Sequence, residues 1–160
     1  MKEIELTPKE LEFAVKLWGL SNDERKIILP NLTDYQKRFI RHWKDFFKYK
    51  IIQEVVWAKN CAEGAKPGDK FVYSAIGEFL PDESTFGCTF GMQVMLPFMY
   101  VVRDRICSGI DPTPMGINYV RCIDTPPAQG GTGGSLFKVY CIKDKVKVPP
   151  GTYRPGVEVD

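Results

Sequence analysis

The chain has 160 residues, 44% of them hydrophobic, which is enough for one packed domain and too much for a disordered chain. Its 22 basic and 20 acidic side chains leave a formal charge of +2, without the strong basic excess of a nucleic-acid binder. The longest apolar run, residues 92–102, is too short for a bilayer and contains Pro97, and the start MKEIELTPKE lacks the apolar stretch of an export signal, so a cytoplasmic protein with neither membrane nor nucleic-acid partners is expected.

Residues 1–50 read as a helical arm of three short helices, each with its own start signal. Thr7-Pro8-Lys9-Glu10 is a capping box with proline at the first helical position, where its missing N–H is not needed. Leu11, Ala14, Val15 and Trp18 recur on one face, and Gly19 ends that helix. Ser21-Asn22-Asp23-Glu24 opens a second helix that Pro30 closes. Thr33-Asp34-Tyr35-Gln36 opens a third, expected to reach Tyr49, with Gln36, Phe39, Ile40, Trp43, Phe46 and Phe47 forming an aromatic stripe. Lys37, Arg38, Arg41, Lys44 and Lys48 share the opposite, solvated side. Three short helices cannot bury so large a stripe between them, so it should dock on the rest of the chain or on another chain. Phe39, Trp43 and Phe46, with Tyr153 of the tail, are the candidate partner-binding residues.

From Ile51 the hydrophobic period shortens. Residues 51–58 (IIQEVVWA) and 70–75 (KFVYSA) read as strands, the second following a Pro67-Gly68-Asp69 turn. Residues 88–106 read as a buried helix, apolar nearly all round and kinked at Pro97. Residues 117–123 and 136–142 read as two further strands, joined by the long, glycine-rich DTPPAQGGTGGS. The economical packing is α+β: the helical arm over 1–50, a mostly antiparallel four-stranded sheet on one buried helix over 51–142, and an extended tail over 143–160 lying on another surface.

Few of the usual catalytic constellations are present. The Gly130–Gly134 loop has no lysine and leads into a strand rather than a helix, so it is no P-loop, although it could act as a mobile flap. The single histidine, His42, lies in the helical arm, and neither CxxC nor HExxH occurs. What remains is five dispersed cysteines: Cys61, Cys88, Cys107, Cys122 and Cys141. Cys61 lies in a loop, Cys88 opens the buried helix, where a helix dipole favours thiolate, and Cys122 and Cys141 lie near the ends of the later strands. Cys61, Cys88, Cys122 and Cys141 converging in space would suit zinc or an iron–sulfur cluster, whereas dispersed cysteines also serve simply as small core residues. A thiol enzyme with Cys88 as nucleophile and Asp69 nearby is a further reading, for which no base is evident.

Three segments carry a resemblance: Cys61 to Phe71 (CAEGAKPGDKF), Cys88 before Leu96-Pro97-Phe98, and Cys122 before Asp124-Thr125-Pro126. Over residues 51–142 the chain resembles an uncharacterised family of small bacterial and archaeal proteins, frequent in anaerobes, with a C-x3-H-x2-GD-x-F motif. The family's histidine position is Ala65 here, which takes a ligand or base away from any site carried over. The aromatic face, the extended tail and the lack of a self-sufficient catalytic set lead to the expectation of a small non-catalytic subunit, bound to larger protein subunits in a hetero-oligomer. The resemblance implies that the complex is a carboxylase, decarboxylase or redox enzyme acting on an organic acid or aromatic compound.

Overall fold

A computed structural model describes residues 4–148 and 152–157. The three capping boxes form as expected and start α1 (Pro8–Trp18), α2 (Asn22–Ile28) and α3 (Asp34–Arg41). Each works reciprocally: the Thr7 hydroxyl accepts from the Glu10 N–H while the Glu10 carboxylate accepts from the Thr7 N–H. Arg41 Nε also donates to Glu10 at 2.9 Å, tying α3 onto α1. The Arg41 guanidinium, with the Thr7 bonds adding to it, outweighs partial burial and holds the Glu10 carboxyl below its usual range. Ala14, Leu32 and Ile40 form a small core among these helices.

The third helix stops at Arg41, short of the expected end, and the chain tightens into a 3-10 turn over Trp43–Lys48. That turn points Trp43, Phe46 and Phe47 into the main core. Four strands follow in a wholly antiparallel sheet of order β2-β1-β4-β3: β1 Tyr49–Lys59, β2 Lys70–Ser74, β3 Tyr119–Arg121 and β4 Gly134–Lys143. Alternation decides the faces. Ile51 and Val55 of β1, Phe71 and Tyr73 of β2, and Phe137, Val139 and Cys141 of β4 are all buried on one side. A bulge between Val55 and Trp57 shifts the register and leaves Trp57 half exposed opposite Leu136.

The expected long buried helix is two helices, α4 (Thr89–Gln93) and α5 (Leu96–Cys107). Pro97 lies in the first turn of α5, where a proline is tolerated, so the chain breaks before it instead of kinking around it. Gln53, fully buried in β1, donates to the Gly91 carbonyl at 2.8 Å and accepts from the Tyr73 hydroxyl, which anchors α4 to the sheet. Val102, Ile106 and Cys107 bury one side of α5 in the core. Arg103 lies with its guanidinium carbon 5.5 Å from the Phe39 ring centre and 6.0 Å from that of Phe46, so α3 is joined to α5 by cation–π contact.

Of the two surfaces on which the aromatic stripe was expected to dock, the rest of this chain is the one it packs against. Trp43 and Phe46 are buried, and Phe39 packs against both. Tyr153, from the described part of the tail, makes edge contacts with Trp43 and Phe47 and donates to Glu78. The stripe is covered largely by this chain's own sheet, α5 and tail: of the four candidate partner-binding residues, Trp43 and Phe46 are buried, and Phe39 and Tyr153 are partly buried. The tail is pinned at its start as well: the Val146 N–H donates to Phe47, and buried Lys50 bridges Asp144 and Glu83 at 2.8 and 2.7 Å. Burial works to lower the proton affinity of Lys50, yet the two carboxylates outweigh it and raise its pKa.

The two edges of the sheet are treated differently. The outward groups of β2 are capped by residues 78–85: Leu80 donates to Val72, Thr85 to Lys70, and Val72 to the Ser84 hydroxyl. Along β3, the Asn118 carbonyl and the Cys122 N–H are turned toward β4. By alternation, the backbone groups of Tyr119 and Arg121 face outward, and among the described residues nothing pairs with them.

Candidate functional site

Three of the five cysteines meet at one end of the sheet. Cys61 follows β1 through Asn60, which adopts a left-handed conformation (φ 52°); Cys88 immediately precedes α4; Cys122 follows β3, its N–H bonded to Ser135 at 2.8 Å. All three line one cavity of about 30 Å³, together with Phe90, Asp124 and Thr132. The glycine-rich loop makes that approach possible. A Cβ on Gly133 would lie 2.2 Å from the Asn60 carbonyl oxygen and 2.5 Å from the Cys61 Cα, and one on Gly131 would lie 2.0 Å from the Thr125 carbonyl oxygen. The loop is also tied down: Thr132 O accepts from Ala62, and the Asp124 carboxylate accepts from the Thr132 N–H and hydroxyl. Those Thr132 bonds hold the Asp124 carboxyl below its usual range. The segment read from sequence as a possible flap is therefore the wall that positions Cys61.

Among the described residues no Lys, Arg or His lines this cavity, and its charged side chains are the carboxylates of Glu63 and Asp124. Burial pushes the Cys122 thiol up, against a hydrogen bond from the Asp124 backbone, and charge on Cys88 or Cys61 would push it further. The helix that Cys88 opens has five residues, too few to present the dipole of a long helix. Asp69 is not in the wall; its carboxylate accepts from the Lys66 N–H and closes the 66–69 turn. Among the described residues, a nucleophilic Cys88 thus has no cation in its cavity, and the Asp124 carboxylate there is already taken up by Thr132.

Cys141 lies apart. It pairs with Ile51 near the far end of β4, six residues beyond the Ser135 that neighbours Cys122 and hence about 20 Å away at the usual rise of a strand. Burial pushes Cys141 up to about 12 and Cys107 to about 11. Among the described residues, no group of three or more His, Cys, Asp or Glu side chains is placed to hold a metal ion, so the side chains as they stand do not fit the expected four-cysteine zinc or iron–sulfur set. In the native chain, a small alkylating reagent should label Cys61, Cys88 and Cys122 well before Cys107 and Cys141, which should react only on unfolding. Peptide mass spectrometry over a time course checks this, and early labelling of Cys141 would contradict it.

His42 lines a separate polar cavity and shares the Asp45 carboxylate with Lys48, at 2.8 and 2.6 Å. Among the described residues no Ser, Thr or Cys lines that cavity, so the histidine–aspartate pair has no hydroxyl or thiol of those residues to activate there.

A feature that the sequence reading missed is apolar and lies on the outside. On α5, Leu96, Tyr100 and Val101 are 57, 70 and 46% exposed, and beside them Ile117 and Tyr119 are 85 and 56% exposed. Between α5 and the approach to β3, an open cavity of about 470 Å³ is walled by Pro97, Phe98, Val101, Met115 and Ile117, with Arg105 its one charged side chain. A segment apolar nearly all round is therefore buried on one side only. The signal that could have revealed this face was the shortness of the neighbouring strands, which leave too little surface to cover such a helix on every side. Comparison with protein-family models, curated proteins and solved structures finds no match to this chain.

Proposed function

We propose that this chain is a non-catalytic subunit of a larger enzyme complex, docked to its partner through the outer face of α5. The observation that carries this reading is the exposed Leu96–Tyr100–Val101 face beside the apolar cavity, a grouping typical of surfaces that are covered in an assembly. The walls specify the partner's chemistry: an apolar anchor side chain for the cavity, flanked by a carboxylate for Arg105. The thiol cavity supports the non-catalytic part of the reading, since among the described residues no cation lines it to draw its cysteines toward thiolate.

The test is purification of the tagged chain from its native host, followed by native mass spectrometry. Wild type should travel with larger chains, and Val101→Asp, at an exposed position, should fold normally and travel without them. Equal association of both proteins would overturn the proposed docking face. A second reading, a site for a thiophilic metal ion, starts from Cys61, Cys88 and Cys122 lining one cavity and requires their side chains to move, since as they stand they are not placed to hold an ion. It requires metal stoichiometric with the chain by elemental analysis, lost in Cys88→Ser; a metal-free native isolate would sink it.

A further inference from the structure

We infer that β3 pairs antiparallel with β3 of a second copy of this chain, in a register centred on Val120, so that two four-stranded sheets become one. The inference rests on the subunit reading and names one occupant of that subunit's surface. Among the described residues, the chain covers one sheet edge with residues 78–85 and leaves the β3 edge open. β3 is short and carries Arg121, but with no loop or helix over it this edge can still take an added strand.

Backbone alternation restricts the registers. Within β3, Tyr119 and Arg121 present the outward N–H and C=O groups, so a ladder formed by this strand joins these residues to each other or to themselves. Pairing Arg121 with Arg121 of the second copy opposes two guanidinium groups, which is destabilising. Pairing Tyr119 with Tyr119 sets Arg121 against Ile117, an apolar side chain that offers the cation nothing. The register centred on Val120 sets Tyr119 against Arg121 twice, by symmetry, each time an aromatic ring against a cation. It also brings Ile117 opposite Ile123, and these are 85 and 50% exposed in the single chain. The segment Ile117-Asn118-Tyr119-Val120-Arg121-Cys122-Ile123 is thus complementary to its own reverse.

Two substitutions at one exposed position test both the pairing and its register. Tyr119→Pro removes an outward N–H and leaves the β3–β4 ladder untouched. It should raise the dimer dissociation constant by roughly tenfold or more, since each symmetric pair loses a ladder bond and its aromatic partner. Tyr119→Glu should stay dimeric, because it places a carboxylate opposite Arg121 in this register, whereas in the Tyr119–Tyr119 register it would oppose two carboxylates. Sedimentation equilibrium on the purified chain, with circular dichroism to confirm folding, reads all three proteins. A dimeric wild type, a weakened Tyr119→Pro and a dimeric Tyr119→Glu are expected. A wild type monomeric throughout the micromolar range, or an unweakened Tyr119→Pro, overturns the pairing; a monomeric Tyr119→Glu overturns the register. A monomeric wild type that still travels with larger chains in its host overturns the pairing alone, whereas a dimer found there with no other chain leaves the pairing standing and removes the subunit reading.

Discussion

Phe46→Ala is expected to cost about 3–5 kcal/mol, the usual range for emptying an aromatic site in a packed core, and therefore to take away much of the stability of a domain this size. Phe46 is fully buried. Its ring lies 5.2 Å from that of Phe39 and 6.0 Å from the Arg103 guanidinium carbon. Truncation opens a cavity at the junction of α3, α5 and the sheet, and it strips the cation of one of its two aromatic neighbours. Urea denaturation of Phe46→Ala beside Val101→Asp gives the contrast: the second, on an exposed face, should shift stability by only about 0.5 kcal/mol. If Phe46→Ala were equally mild, the aromatic stripe would not be core, and its availability to a partner would have to be reconsidered.

Gly133→Ala should be the most damaging small change near the thiol cavity. The residue has φ +147°, which L side chains rarely adopt, and the added Cβ would meet the Asn60 carbonyl oxygen and the Cys61 Cα. Both neighbours are backbone and cannot swing aside, so strain and overlap together should cost about 2–4 kcal/mol. Gly130→Ala is the control: φ is +85°, but nothing lies within 4 Å of the new Cβ, so only conformational strain of about 1–2 kcal/mol remains. Thermal unfolding ranks the two. Cys61 alkylation in the folded state should also accelerate in Gly133→Ala, as the 60–62 segment is pushed from the 131–134 loop, and should stay at the wild-type rate in Gly130→Ala. Equal effects at the two positions would mean that the glycine loop does not position Cys61.

What could be read from the sequence was set by how local the governing interactions are. Thr7 with Glu10, Ser21 with Glu24, and Thr33 with Gln36 are three residues apart, and each started its helix where the pattern placed it. The end of the third helix was not legible, because Trp43, Phe46 and Phe47 leave α-helical geometry to fill a core built from strands and a tail far along the chain. Antiparallel pairing of neighbouring strands was legible from their spacing, but the central β1–β4 pair joins residues more than seventy positions apart and fixes the order of the sheet. Hydrophobic periodicity marked the aromatic stripe and the 88–106 segment as apolar without saying what covers them. The first is buried within the chain, and the second leaves Tyr100 open. The cysteines show the same limit. Cys61, Cys88 and Cys122 meet because Gly131 and Gly133 let backbones touch, a tertiary reason with no local pattern, and Cys141 sits on the same strand as their neighbour Ser135 but at its far end.

The subunit reading is tested most directly by hydrogen exchange on the isolated chain and on the same chain within the assembly purified from its host. Slower exchange confined to residues 96–107, with 117–121 already protected in the isolated dimer, is the predicted result. Unchanged exchange along α5, with new protection at residues 60–63, 88–90 and 131–135, would contradict it and move the function to the thiol cavity.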